Sequence, residues 1–256
     1  MPPAALSLDI LTSRSLAPLR HGFFTRRGGA SSGIFAGLNC GQGSSDLSEA
    51  VAVNRARAAE ALGLSPEALV GVHQVHSADV ALIERPLAAP VRADAMVTKV
   101  PGLGLGILTA DCQPVLFADA AAGVIGAAHA GWKGALGGVL EAVVDTMEAQ
   151  GALRERITAV IGPTISQRAY EVGPEFLDTF LAEDEGAERF FAGGQGDRMQ
   201  FDLVGFSLAR LRAAGIGSAE WTGHCTYSDP ARFYSYRRSV HLSEADYGRL
   251  ISIIRL

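Results

Sequence analysis

Two apolar, glycine-rich runs near the middle of the chain most constrain its fold. The first covers residues 103–110 and ends at Asp111 and Cys112, and the second covers residues 123–128 and ends at His129. Strands that are apolar at nearly every position are typical of sheets covered on both faces. We therefore expect a layered fold in which both runs form buried strands, with chemically active side chains gathered where those strands end.

The strand-like runs occur in groups rather than in strict alternation with helices. Besides residues 104–109 and 124–129, short apolar runs suited to strands lie at residues 22–25, 69–73, 79–83, 93–98, 114–118 and 157–161. Grouped strands favour an α+β fold over a doubly wound parallel sheet. No linker rich in proline, serine or charge interrupts the 256 residues, so we predict one α+β domain over residues 1–256.

Helix signals flank these runs. Apolar spacing and glycine stops predict helices over about residues 46–63, 133–150, 174–181, 202–215 and from 243 to the C-terminus. Asp46, Asp202 and Ser243 stand at the expected N-caps, and Pro174 suits a first helical turn. The helices are expected to flank the strand layers.

Charge and cysteine usage exclude several classes of function. The net charge is −5, which gives no overall cationic surface for nucleic acid or an anionic membrane. No apolar run reaches the roughly 18 residues that a membrane span needs. The three cysteines are widely spaced, and the N-terminus has no basic segment and an early acid, so we expect a reduced, cytoplasmic protein without a signal peptide. Nothing in the sequence identifies a protein partner.

A thiol and two imidazoles form a candidate metal site. His76, Cys112 and His129 each follow an apolar run, and they are separated by 36 and 17 residues, which excludes a local zinc finger. Three protein ligands leave one position of a tetrahedral zinc open, which is typical of catalytic rather than structural zinc. The alternative is a small buried cysteine beside two hydrogen-bonded histidines.

Asp111 precedes the candidate thiol ligand directly. In an extended segment its side chain would face away from Cys112, where it could orient a ligand histidine or act as a general base near the metal. It could instead simply form the turn before Pro114. His73 would face away from His76 in an extended segment and is left out of the site.

Two segments could hold an anion such as phosphate. Arg26 and Arg27 precede paired glycines, whose backbone could form an anion-binding nest, although a solvated hairpin would have the same sequence. Lys133 lies at the start of the predicted long helix, directly after His129-Ala-Gly-Trp, where free helix N–H groups attract anions. An anion at this second position would lie close to the metal.

Aromatic and basic residues interleave near the C-terminus. Residues 224–238 contain four aromatic side chains and three arginines, Arg237 among them. This composition suits a heterocycle stacked on an aromatic face with a phosphate nearby. It equally suits an amphipathic strand whose arginines extend to solvent.

Eight segments in order resemble the YfiH/laccase-domain family, whose members are described both as bacterial multicopper polyphenol oxidases and as zinc-dependent purine nucleoside phosphorylases. The matching segments lie at residues 21–31, 37–41, 74–76, 93–98, 109–114, 129–134, 161–165 and 225–238. The chain departs from the family pattern at Ser77, Ala231 and Tyr236, none of which is a proposed ligand.

The resemblance implies a mixed β-sandwich core flanked by helices, with zinc held by His76, Cys112 and His129. It also implies phosphorolysis of adenosine, inosine, guanosine and methylthioadenosine, together with adenosine deamination. On this basis we expect Asp111, Cys112 and His129 to be catalytic. We expect substrate contacts from five residues: Arg26, Arg27, Asn39, Lys133 and Arg237. The expected partners are a purine nucleoside and phosphate.

Three other functions remain open. A copper-dependent polyphenol oxidase would fit two histidines and a cysteine, but the chain has six histidines in all, too few for a further trinuclear cluster. A metal-free cysteine hydrolase would use Cys112 as nucleophile, His129 as base and Asp111 to orient it. A non-catalytic regulator would bind a metabolite in the same pocket.

Overall fold

Two β-sheets stacked face to face form the centre of the protein. The computed structural model describes residues 7–256. Its strands are β1 (Ile10–Leu11), β2 (Arg20–Phe24), β3 (Leu69–Val70), β4 (Val80–Leu82), β5 (Ala95–Thr98), β6 (Gly104–Thr109), β7 (Gln113–Asp119), β8 (Val124–Ala130), β9 (Thr158–Ile161), β10 (Glu171–Val172), β11 (Phe191–Gly193), β12 (Met199–Phe201), β13 (Ser218–Trp221) and β14 (Leu250–Arg255). Its α-helices are α1 (Ser48–Ala61), α2 (Trp132–Leu136), α3 (Val139–Ala149), α4 (Pro174–Leu181), α5 (Leu203–Ala213) and α6 (Tyr236–His241).

The sheets mix parallel and antiparallel pairs. One has the order β1-β2-β14-β6-β3 and the other the order β13-β9-β7-β8-β5-β4. The pairs β3–β6, β4–β5 and β9–β13 are parallel, and the remaining pairs in these two sheets are antiparallel. The predicted α+β class and mixed sandwich core are therefore confirmed.

The central strands are buried on both faces, as their apolar sequences predict. In β7, Leu116 and Ala118 pack into the layer between the sheets, whereas Val115 and Phe117 pack on the opposite side against α3. Alternate side chains of a strand point to opposite faces, so a strand with a layer on each side must be apolar throughout. On the outer face of the other sheet, α1 closes a third apolar cluster.

A small aromatic layer lies beside the sandwich. The three-stranded sheet β10-β12-β11 packs with α4 and α5 around Phe180, Phe201 and Phe206. Trp132 at the start of α2 joins this cluster, with its ring 4.7 Å from that of Phe176. The aromatic layer therefore contacts the segment that directly follows His129.

Two predicted helices are wrong. The predicted helix over residues 133–150 is divided between α2 and α3, because Gly138 takes a left-handed conformation with φ of 90°. Residues 243–256 do not form a helix: Ser243 has φ of 54°, and β14 lies between β2 and β6. The isoleucine-rich run of β14 is buried on both faces, and this packing overrides the predicted helix.

The other helix signals are confirmed apart from one cap. Asp202 accepts a hydrogen bond from the backbone of Gly205 at the start of α5, and Pro174 begins α4. Asp46 does not cap α1, which begins at Ser48 with Leu47 before it. The carboxylate of Asp46 instead accepts hydrogen bonds from Leu47 and Asn39. Among the described residues, no helix combines the length and apolarity needed to cross a membrane.

Candidate metal centre and its cavity

Strand pairing brings the three predicted ligands together. His129 lies opposite Pro114 in the antiparallel β7–β8 pair, so Cys112, just before β7, lies beside it. His76 enters from the loop between β3 and β4. One potential ligand atom from each residue lies within 4.8 Å of the others, and Cys112 Sγ is 3.9 Å from His76 Nε2.

Asp94 organises two of the three ligands, and the sequence interpretation did not identify it. Its buried carboxylate is 2.8 Å from His129 Nδ1, which leaves Nε2 of that ring for a metal. It also accepts hydrogen bonds from the backbone amides of Val75, His76 and Ser77 at 3.0, 2.9 and 2.7 Å. One carboxylate thus fixes the His129 ring and the loop that carries His76.

The charge of Asp94 is stabilised by these contacts. Burial raises the pKa of Asp94, but the hydrogen bond with His129 and those from the amides of Ser77 and Val75 outweigh it. The pKa therefore lies well below the usual carboxyl range. The sequence offers only a lone acid directly before the strand of residues 95–98, and its contacts come from a loop about 18 residues away in the chain.

The donor set fits a tetrahedral zinc ion. With zinc–sulfur and zinc–nitrogen bonds of ordinary length, two ligand atoms lie about 3.5 Å apart. The separation of 3.9 Å between Cys112 Sγ and His76 Nε2 needs only a small closing movement to reach it. Gly131 passes so close that a Cβ atom there would lie 2.9 Å from both Cys112 Sγ and His76 Cδ2. The site therefore depends on bare backbone at this position.

The thiol is biased towards its metal-binding form. Burial raises the pKa of Cys112, but the nearby His129 and the hydrogen bonds from both histidines lower it to about 7. Burial lowers the pKa of His129, yet the Cys112 thiolate and Asp94 raise it to about 9. A thiolate beside an imidazolium can bind a metal ion with release of the imidazolium proton, because the ligand forms are thiolate and neutral imidazole.

Asp111 does not orient a ligand histidine, because Asp94 occupies that role. The backbone at Asp111 is not extended but left-handed, with φ of 82°. Its buried carboxylate accepts hydrogen bonds from Thr226 Oγ1, Ser235 Oγ and the amide of Arg237. Burial raises the pKa of Asp111, and these three contacts oppose the increase.

A cavity of about 780 Å³ opens next to the ligands. Its wall includes His76, Cys112, Trp132, Lys133, Tyr170 and Arg237. The Lys133 ammonium lies 5.4 Å from the Trp132 ring, and the Arg237 guanidinium lies 5.5 Å from the Tyr170 ring. Two of the five predicted substrate contacts, Lys133 and Arg237, therefore line the same cavity as the candidate metal ligands His76 and Cys112.

The other three predicted contacts do not line this cavity. Asn39 is fully buried, and its amide group bonds to Ser44 and Asp46, so it supports a loop rather than facing a ligand. The guanidinium of Arg26 donates to the carbonyls of Ala36 and Pro230, and that of Arg27 donates to the carbonyl of Ala231.

The paired glycines after Arg27 have a structural explanation. A Cβ atom on Gly29 would lie 2.0 Å from the Gly37 carbonyl oxygen, so glycine permits two backbone segments to touch. Gly28 has φ of 83°, which also favours glycine. This close approach, rather than an anion-binding nest, accounts for the pair.

The family match and the named relatives of this chain agree with one another. Residues 20–256 match the family described as multi-copper polyphenol oxidoreductase laccase. The purine nucleoside phosphorylase of Deinococcus radiodurans is 42% identical over 252 residues, covering 98% of this chain and 94% of that protein. The purine nucleoside phosphorylase YfiH of Escherichia coli is 38% identical over 234 residues, covering 91% of each.

Solved structures agree with the sequence matches. A Neisseria meningitidis protein superposes with a TM-score of 0.87 at 33% identity, covering 97% of this chain and 98% of that one. The hypothetical protein YfiH of Bacillus licheniformis gives a TM-score of 0.89 at 28% identity, covering 99% and 97%. Because the family match spans residues 20–256 and the relatives match most of the chain, this protein belongs to the laccase-domain family that includes the YfiH proteins.

Proposed function

We propose that this chain is a zinc-dependent purine nucleoside phosphorylase, which transfers the ribosyl group of a purine nucleoside to phosphate. The observation that carries the proposal is the shared cavity, whose wall includes two of the three candidate metal ligands, two cations and aromatic faces. Relatives of 38–42% identity that bear this name match nearly the whole chain. In the reaction, phosphate attacks C1′ of the ribose as the bond to the base breaks.

Lys133 and Arg237 are the proposed phosphate contacts. Both line the cavity, and the Arg237 side chain is held in place by the Tyr170 ring and by the carbonyl of Glu171. A guanidinium fork binds two phosphate oxygens at once, and an ammonium adds a point charge. The two side chains would attract phosphate and hold it against the sugar, which lowers the entropic cost of the attack.

The aromatic wall is the proposed site of the purine. Trp132, Tyr170 and Phe176 line the same cavity, and their rings pack against one another at centroid distances of 4.7–6.0 Å. A flat heterocycle stacks favourably on such faces and is shielded from water there. This arrangement supports a nucleoside rather than a sugar alone as the substrate.

His76, Cys112 and His129 would hold the zinc ion. When bound there, zinc supplies Lewis-acid polarisation of a substrate oxygen. Asp94 fixes the tautomer and direction of His129, so that the ring presents Nε2 to the ion. Within residues 7–256 this is the one group of three or more histidine, cysteine or acidic side chains close enough to share a metal. That favours zinc over a set of several copper ions.

We propose adenosine deaminase activity as a second reaction of the same site. Three protein ligands leave a fourth zinc position free, and the ligand cluster borders the cavity. Adenosine stacked on the aromatic wall could present its C6 amino group there for hydrolytic replacement by oxygen. A cytoplasmic location, predicted from three unpaired cysteines, belongs to the same proposal.

The test follows the products made from adenosine and inosine by chromatography, with and without phosphate. We expect adenine and hypoxanthine to form only with phosphate, and inosine to form from adenosine without it. Cys112→Ala should lose both activities, whereas the matched control Cys225→Ser, which keeps all three zinc ligands, should retain them. Base release without phosphate, or full turnover by Cys112→Ala, would contradict the proposal.

The same preparations separate the alternatives. Activity that survives zinc chelation would favour a cysteine hydrolase, and copper content with phenol oxidation would favour a polyphenol oxidase. Tight nucleoside binding without any product would favour a regulator. Metal analysis of protein purified without added copper should instead find about one zinc per chain.

A further inference from the structure

Asp111 directly precedes the proposed zinc ligand Cys112 in the chain. Its surroundings do not resemble those of a proton-transfer group. Its carboxylate is 2.5 Å from Thr226 Oγ1, 2.8 Å from Ser235 Oγ and 2.7 Å from the Arg237 amide nitrogen. Only 7% of the residue is exposed. Both carboxylate oxygens therefore accept hydrogen bonds from fixed protein donors, although the residue borders the cavity.

Three distant segments of the chain meet at this residue. Besides the carboxylate contacts to residues 226–237, the Asp111 carbonyl accepts hydrogen bonds from Thr164 Oγ1 at 2.7 Å and from the Ile165 amide at 3.0 Å. The next residue is the zinc ligand Cys112. Any shift of Asp111 must therefore move the thiol relative to both other segments.

The backbone at Asp111 shows how strongly it is held. Its φ of 82° lies in the left-handed region, which residues with a side chain rarely adopt. Such a conformation persists only where surrounding contacts determine it. Here five hydrogen bonds do so, and the resulting turn aims Cys112 towards His76.

The carboxylate also fixes a substrate contact. The Arg237 amide that donates to Asp111 belongs to the residue whose guanidinium lines the cavity and lies over the Tyr170 ring. Asp111 is thus joined covalently to a metal ligand and by a hydrogen bond to the proposed phosphate-binding arginine. This one side chain therefore links the Cys112 thiol to the segment that carries the Arg237 guanidinium.

We propose that Asp111 is a positioning residue that sets Cys112 and Arg237 relative to each other. The expected loss of phosphorolysis rests on the proposed phosphorylase function, whereas the expected change in geometry at Cys112 does not. It assigns Asp111 a different role from the general base that the sequence alone suggested.

Hydrogen-bond chemistry gives the two roles opposite consequences. The Arg237 amide can only donate, whereas the hydroxyls of Thr226 and Ser235 can rotate and either donate or accept. An asparagine at position 111 can turn its oxygen towards Arg237 and Ser235 and its NH₂ group towards Thr226, so all three contacts survive. Alanine keeps none of them. A positioning role predicts rescue by asparagine, and a general base does not.

The experiment compares Asp111→Ala with Asp111→Asn, each loaded with Co²⁺ in place of zinc. The thiolate-to-cobalt absorption band reports the geometry at Cys112 without requiring turnover, and kinetics with inosine give KM for phosphate and kcat. We expect Asp111→Ala to alter the band and to lower kcat/KM by about 100-fold, chiefly through KM for phosphate. Asp111→Asn should recover the band and most of the activity.

Two results would overturn the proposal. One is a wild-type cobalt band in Asp111→Ala. The other is a wild-type band in Asp111→Asn with kcat/KM as low as in Asp111→Ala, which is the behaviour of a lost general base. If Asp111→Ala does not fold, the double variant Thr226→Val/Ser235→Ala removes two donors and keeps the carboxylate. It should alter the same band, and an unaltered band would contradict positioning.

The absorption spectra of the Co²⁺-loaded variants also test this inference independently of the proposed function. If the wild-type protein shows no phosphorolysis, the phosphorylase proposal fails. The absorption bands of the two Asp111 variants would still decide whether this side chain positions Cys112.

Discussion

Replacing Gly131 with alanine tests whether the metal site requires bare backbone at its centre. The residue precedes α2 with φ of −72° and ψ of 170°, a conformation that alanine adopts without strain. The added Cβ atom would lie 2.9 Å from Cys112 Sγ and 2.9 Å from His76 Cδ2. The substitution therefore acts on two of the proposed zinc ligands and leaves the backbone conformation permitted.

The size of the effect follows from these distances. Ordinary van der Waals contact begins at 3.4 Å, so each ligand must retreat by about 0.5 Å. Zinc–ligand bonds tolerate deviations of about 0.2 Å, less than half of that movement. We expect zinc affinity to fall at least tenfold, which corresponds to about 1.4 kcal/mol.

The assay is competition for zinc against a chromogenic chelator, with thermal unfolding of the metal-free protein measured in parallel. The matched control is Gly193→Ala, because no atom lies within 4 Å of its added Cβ. We expect wild-type zinc affinity for Gly193→Ala and weakened affinity for Gly131→Ala. Wild-type affinity in Gly131→Ala would refute the assignment of these ligands.

Three further predictions concern groups around and away from the site. Asp94→Asn should weaken zinc binding by 10–100-fold in the same competition assay, because an amide cannot accept all the hydrogen bonds that converge on this carboxylate; unchanged affinity would count against its role. Arg237→Met should raise KM for phosphate about tenfold and leave zinc affinity unchanged, since Arg237 lines the cavity without being a ligand; an unchanged KM would remove it from the phosphate site. Burial raises the pKa of Asp119, but hydrogen bonds from the amides of Leu153 and Ala122 and from Arg156 outweigh it and lower the pKa below 3.8. The charged carboxylate therefore stabilises the fold above pH 3.8, and this contribution is lost as the pH falls through the lowered pKa. Asp119→Asn should therefore cost about 2 kcal/mol in urea unfolding at pH 7 and progressively less below pH 3.8; an equal cost at both pH values would contradict this.

Much of the site could be predicted from residue types at strand ends. His76, Cys112 and His129 were identified as ligands before their geometry was known, and the structure brings their ligand atoms within 4.8 Å. Zinc binding itself stays a prediction. Asp94 was not identified, because a lone acid before a strand gives no sign of the loop amides that converge on it.

The predicted substrate contacts divide in the same way. Lys133 and Arg237 line the cavity. In contrast, Asn39 is hydrogen-bonded within a buried loop, and the Arg26 guanidinium is hydrogen-bonded to backbone carbonyls. Their side-chain chemistry is equally suited to an anion in every case but Asn39. Which of them face a ligand depends on partners that lie up to about 200 residues away in the chain.

The amino-acid sequence by itself determined the layered α+β class. Strands that are apolar on both faces must be covered on both sides, and few folds other than a layered one provide that cover. It also determined which side chains could bind a soft divalent metal. Only the tertiary structure decided that β14 is a central strand, that Asp94 rather than Asp111 orients His129, and that Gly131 must lack a side chain. Those outcomes depend on contacts between segments far apart in the chain, and local sequence patterns carry no information about such contacts.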